Sequence, residues 1–338
     1  PQVKEVANRS LDIGFALEDR WQAGQLSGQY GFDYFGRRGV NARQHEFMLS
    51  RLRRATQSLH DGKENESAIF ATANRDFDFL SVHLGGRWTV FTQTDSRSEK
   101  ISRDRGSYFL TVRKPLGNLD LSLSYGTAVR FASLSERLFI GTTGRGEVIW
   151  NSRLLPEDTS ELDIGIEHRG ERLAFELHSF AMDIDKFIER TILDNNTLSY
   201  RNLLSGDIRG WQYRLALFPS NAWQLAFSGQ SVTGISDKKY TLIDIPAGRH
   251  QIDFSYSTPS WSLNVSLRRR LDKQNFGATE RALQAANIGA LSLRVDLSER
   301  WQMQAGIENL FNETYFTSSD AFSTLAIGRE FSLAFHFR

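Results

Sequence analysis

The chain has 338 residues, with 41 Lys and Arg against 40 Asp and Glu and a net charge of +1, a balance that excludes a disordered polyelectrolyte. It has no cysteine, which excludes disulfides, thiol catalysis and zinc knuckles. No run approaches the roughly eighteen apolar residues of a membrane helix, whereas a transmembrane β-barrel passes that test because only alternate residues face lipid.

The opening residues PQVKEVANRS lack the charged start and apolar centre of a signal peptide, so an exported protein is expected to carry its targeting segment elsewhere. Residues 10–21 alternate Leu11, Ile13, Phe15 and Leu17 with Asp12, Gly14, Ala16 and Glu18, the period of a strand with two different surroundings. After a turn at 19–24, a second strand carries Leu26, Tyr30, Phe32 and Tyr34. Leu49, Leu52, Ala55 and Leu59, within the polar stretch 37–67, have nearer helical spacing and predict a short helix in a loop. Residues 68–74 and 80–90 form the next pair around a turn at 75–78, and a polar loop is expected over 94–106. Tyr108, Leu110 and Val112 lead to the 115–118 turn, and Leu119, Leu121, Leu123 and Tyr125 lead out of it. A long loop, 130–159, precedes a pair with Leu162, Ile164 and Ile166 on one strand and Leu173, Phe175 and Leu177 on the other. Further pairs meet at 218–222, 258–260 and 297–300. Trp301, Met303, Ala305 and Ile307 then alternate with polar or small residues, and the chain closes with Phe331, Leu333, Phe335 and Phe337 opposed to Ser332, Ala334 and His336.

This makes about fifteen strands of bilayer-crossing length, joined by short turns alternating with long loops. Sorting of connection length by end is what an outer-membrane barrel shows. Trp21, Trp223, Trp261 and Trp301 all stand beside short turns, where an aromatic girdle at the inner interface is expected.

Several segments resemble the TonB-dependent receptors of the bacterial outer membrane. They are Asn309-Leu310-Phe311-Asn312-Glu313-Thr314-Tyr315, the Gly328-Arg329 pair and the aromatic final strand. Weaker similarity runs through 130–160, where Ala132 replaces a usual proline, through 182–188, and through Tyr200-Arg201-Asn202 with Ile208-Arg209-Gly210. The resemblance implies an all-β fold, a transmembrane antiparallel barrel of 22 strands of which residues 1–338 form the C-terminal portion, with the plug domain and the first strands absent. An open sheet in lipid would leave about ten unpaired backbone groups on each edge, a penalty on the order of tens of kcal/mol. A second polypeptide or fragment, or a missing segment, is therefore expected to close the ring and to carry the plug. The resemblance further implies import of a large scarce ligand such as a siderophore, haem, cobalamin or glycan, with the energy-transducing TonB complex reached through that partner. A porin, adhesin or structural barrel subunit is the alternative.

None of the seven histidines lies in metal-ligand spacing, and no metal site, cofactor or catalytic residue is assigned. His178 and Ser179 are neighbours on a strand and point to opposite faces, which rejects them as a hydrolytic pair. The glycine-rich 141–146 stretch lacks the Lys-Ser/Thr and strand-to-helix context of a phosphate loop. The basic clusters 51–54 and 268–270 are read as solvated, lipopolysaccharide-facing or ligand-facing, with no nucleic-acid partner. Aromatic and Arg residues on the long loops are the natural contacts for chelates bearing oxyanions, so Arg145, Trp150, Arg153, Tyr200, Phe276 and Tyr315 are the expected ligand-binding residues.

Overall fold

A computed structural model of the chain describes residues 2–48, 51–143, 145–193 and 197–337. In chain order the strands are β1 (Gln2–Ala23), β2 (Leu26–Met48), β3 (Arg51–Phe77), β4 (Leu80–Asp95), β5 (Ser98–Leu116), β6 (Leu119–Arg130), β7 (Gly141–Thr143), β8 (Gly146–Val148), β9 (Glu157–Arg169) and β10 (Leu173–Asp185). There follow β11 (Ile188–Ile192), β12 (Leu198–Asn202), β13 (Ser205–Ser220), β14 (Trp223–Ser236), β15 (Arg249–Ser257), β16 (Trp261–Arg270), β17 (Ala286–Asp296), β18 (Trp301–Glu308) and β19 (Glu330–Phe337), with one short helix, α1 (Leu134–Leu138). Fifteen of these strands make one sheet in simple sequence order, skipping β7, β8, β11 and β12, which form a separate four-stranded sheet within the long connections. The ends of the large sheet, β1 and β19, each have one neighbour.

Register carries the alternation from strand to strand. Phe15 lies opposite Tyr34, Leu84 opposite Leu110, Leu123 opposite Ile164, and Ala305 opposite Leu333, so one face is a continuous apolar band. Its side chains stand open to the surroundings even in the middle of the sheet, with Ile69 61% and Ile164 50% exposed, which in water would be an aggregation surface and in lipid is the solvated state. The opposite face carries polar ties, such as Arg87 to Asp33 and Glu66 and Arg37 to Asp12. The buried apolar clusters lie at the long-loop end: Ala42, Leu59, Leu134 and Leu138 form one, and Leu203, Leu242 and Ile245 another.

Short turns gather at the other end. Gly24 and Gly117 are each the first of two turn residues and have φ of 62° and 64°, the place glycine takes in a type II′ hairpin. Trp223, Trp261 and Trp301 open their strands at this end and Trp21 stands near the close of β1.

Two sequence expectations are corrected. The helix around Leu52, Ala55 and Leu59 does not form, because those residues lie in β3, paired with β2; Leu49 falls outside the described residues. The polar loop over 94–106 is also strand, with β4 and β5 meeting at residues 96–97. The cause is the same in both. The 27 residues of β3 span about 90 Å along the strand, far beyond a hydrocarbon layer of about 30 Å. Above the lipid both faces are wet, so the apolar period fades while the backbone ladder continues.

Candidate ligand site at the outer mouth

At the long-loop end, the connections 237–248, 271–285 and 309–329 are tied to one carboxylate. Glu280 accepts from Lys273 Nζ at 2.9 Å, from Ser319 Oγ at 2.7 Å, and from the backbone N–H of Gly277 and of Asp244, both at 2.9 Å. Burial alone would raise its pKa, but these donors together hold it below the usual carboxylate range,. A second tie runs from β11, where the buried Arg190 donates through Nη2 to Thr279 Oγ1 at 2.9 Å and reaches Asp320 at 3.7 Å. Asp320 also pairs with Arg145. Further round the rim, α1 starts with a capping box in which Ser133 and Glu136 satisfy each other's backbone donors,. Arg130 joins that box to the next strand through Glu157, at 2.6 Å.

Beside these loops lies a half-open cavity of about 590 Å³ bounded by the inward residues of β15 and β16 and by loop residues Arg145, Asp244, Tyr315 and Asp320. Four arginines line it: Arg145, Arg249, Arg268 and Arg270. Arg249 stands directly across the ladder from Arg270, and Gln251 across from Arg268. Arg249 donates to Gln230 Oε1 at 3.2 Å, and Arg268 Nε to Gln251 Oε1 at 2.8 Å. Arg270 donates to the carbonyls of Gln284 and Phe316, and its guanidinium lies 5.2 Å from the Tyr315 ring. Its Nε is buried without an acceptor.

Of the six residues expected to bind ligand, the cavity brings together Arg145 and Tyr315. Trp150 instead stacks under Arg97, 4.6 Å from the ring centre to the guanidinium carbon. Tyr200 packs against Ala132, Leu154 and Ile188, and burial raises its phenol pKa. Arg153 is exposed on a turn whose backbone is held by Asn151, and Phe276 is exposed on the 271–285 connection. Arg268 and Arg270 belong to the basic cluster for which a ligand-facing role was one of three readings, and Arg249 was not among the expected contacts. Alternation through Leu267 and Arg269 contained part of the signal, since it sends Arg268 and Arg270 to the face opposite Leu267; the pairing with Arg249 needs the register. Among the described residues no three His, Cys, Asp or Glu side chains converge as metal ligands would. His178 faces Asp163 at 3.4 Å, and its cross-strand partner is Gly165, whereas Ser179 pairs with Ile164.

No curated protein matches the chain. Among solved structures, the copper transporter OprC superposes with a TM-score of 0.83 at 16% identity, covering 100% of this chain and 57% of its own. The pyoverdine receptor FpvA of P. aeruginosa does so at 0.77 and 14%, covering 99% and 49%. The siderophore receptor PiuA of Acinetobacter baumannii gives 0.78 and 15%, covering 99% and 56%. The chain thus spans about half the length of the structures it resembles, and at these identities the likeness is one of fold. The family model described as "TonB dependent receptor-like, beta-barrel" matches residues 5–310. With most of its length inside that model, the chain belongs to the TonB-dependent receptors, and its apolar band lies in the bacterial outer membrane.

Proposed function

We propose that this sheet is the C-terminal part of the wall of an energy-coupled importer, and that it admits a large, scarce ligand of the siderophore, haem, cobalamin or glycan class. The observation that carries this reading is the half-open cavity at the long-loop end, large enough for a small-molecule cargo,. Structures of similar fold include a siderophore receptor, a hemophore receptor in complex with its hemophore and heme, and a copper transporter.

In this reading the plug and the first strands lie outside residues 1–338, on a further stretch of the same polypeptide or on a second one, and they pair with both β1 and β19. The physical reason is the cost of bare backbone in lipid, which at several kcal/mol per group exceeds the stability of any domain. That segment also makes the contact with the TonB complex. Outer-membrane lipid wets the outward band, lipopolysaccharide meets its upper rim, and Trp21, Trp223, Trp261 and Trp301 form the lower girdle.

The test is uptake of iron chelates by cells carrying the complete barrel, with and without the membrane proton gradient. Gradient-dependent uptake is expected. Gradient-independent leakage of small solutes would instead make the barrel a passive pore.

A further inference from the structure

We propose that Arg249, Arg268 and Arg270, with Arg145 above them, form a binding site for a polyanionic ligand that presents two or more neighbouring oxyanion groups, such as carboxylates or catecholates. This deepens the import reading and rests on it. Like charges directly opposed across a ladder work against folding, yet Arg249 and Arg270 hold that relation on the cavity face. Four guanidinium groups meet two carboxylates in the lining, Asp244 and Asp320, and Asp320 is already engaged by Arg145 and Arg190.

Among the described residues, Arg249, Arg268 and Arg270 form no ion pair; their acceptors are the neutral oxygens of Gln230, Gln251, Gln284 and Phe316. Neutral acceptors leave the charge of these three guanidinium groups uncompensated within the cavity, which favours an oxyanion entering it,. Planar guanidinium forks suit paired oxygens better than a point charge does. Among the described residues the lining contains no His, Met or Cys, so it lacks the imidazole and sulfur donors that a bare copper ion would take.

Two probes of similar size separate the possibilities: an iron(III) tricatecholate carrying three negative charges, and a neutral iron(III) trihydroxamate. Each is titrated into the complete barrel in detergent while tryptophan fluorescence is followed. The tricatecholate is expected to bind at least tenfold tighter, and to weaken as salt is raised. Arg249→Ala, Arg268→Ala and Arg270→Ala should each lower its affinity roughly ten- to hundredfold, and Arg249→Lys should give a smaller loss. Arg269→Ala makes the same charge change on the outward face, where Arg269 meets Asn287, and should leave binding unchanged. Unheated gel mobility reports whether each variant still forms the closed barrel. Equal binding of both chelates, preference for the neutral one, or wild-type affinity in all three alanine variants would overturn the anion site. Failure of cells to take up any chelate, haem, cobalamin or glycan would overturn the import reading beneath it.

Discussion

Glu280 concentrates the loop ties of the mouth on one group, which makes it the most informative single residue. Its folded pKa lies below its unfolded one, so its contribution to holding the loops is fully present above the ordinary carboxylate pKa and is lost as pH falls through the depressed folded value. Protection of the 237–248, 271–285 and 309–329 connections from protease should therefore be constant from pH 7 down to about 4.5 and fall away below it. Glu280→Gln leaves the Lys273 ammonium buried and uncompensated, at a cost of about 3–5 kcal/mol. Hydrogen exchange in these loops should be faster in that variant even at pH 7, with the carboxylate's share of the acid transition gone. Trp150 illustrates the opposite outcome. Because its ring supports Arg97 rather than lining the cavity, Trp150→Ala should loosen the loops by about 0.5–1 kcal/mol and leave chelate affinity within twofold. Neither set of contacts was legible in the sequence, since an aromatic or Arg residue on a loop has the same letter whether it meets cargo or another loop.

At the scale of the strand, two neighbouring residues live in different solvents. Leu123 is 49% exposed on the outward face, a few residues above the short turn and so near the middle of the lipid. Ser124 faces inward and bonds Thr111 at 3.0 Å. Leu123→Arg should destabilise the barrel by about 2–4 kcal/mol in urea unfolding from vesicles, whereas Ser124→Arg should cost under about 1 kcal/mol. Within the bilayer this alternation was legible from residues such as Leu119 to Tyr125, because two unlike solvents impose a period of two. In β2 and β3 it was not, because residues 37–67 stand above the lipid with water on both sides and nothing enforces a greasy row. The ladder there is specified by cross-strand hydrogen bonds, which leave no compositional trace.

At the scale of the molecule, the edges decide behaviour. β1 presents 22 residues along one edge and β19 eight along the other, and in the proposed barrel the closing segment pairs with both. On an unheated denaturing gel, residues 1–338 alone should run as an unfolded 38.5 kDa species. Co-expression with the plug and first strands should yield a compact band that shifts on boiling. A compact, heat-sensitive band from the isolated chain would show that the sheet seals without help and would remove the need for a closing segment.

The order of the fifteen strands, their facing within the bilayer and the family they belong to were determined by sequence alone. Each follows from local alternation and from short motifs such as Asn309 to Tyr315, and antiparallel neighbours joined by tight turns need no long-range information. The arginine cavity was decided only by tertiary structure. Arg249 and Arg270 are 21 positions apart along the chain and become neighbours through the register of β15 on β16, and the loop cluster exists because Asp244, Glu280 and Ser319, on three separate connections, converge on one another. Contacts of that kind depend on where strands end and loops fold back, which no periodicity encodes.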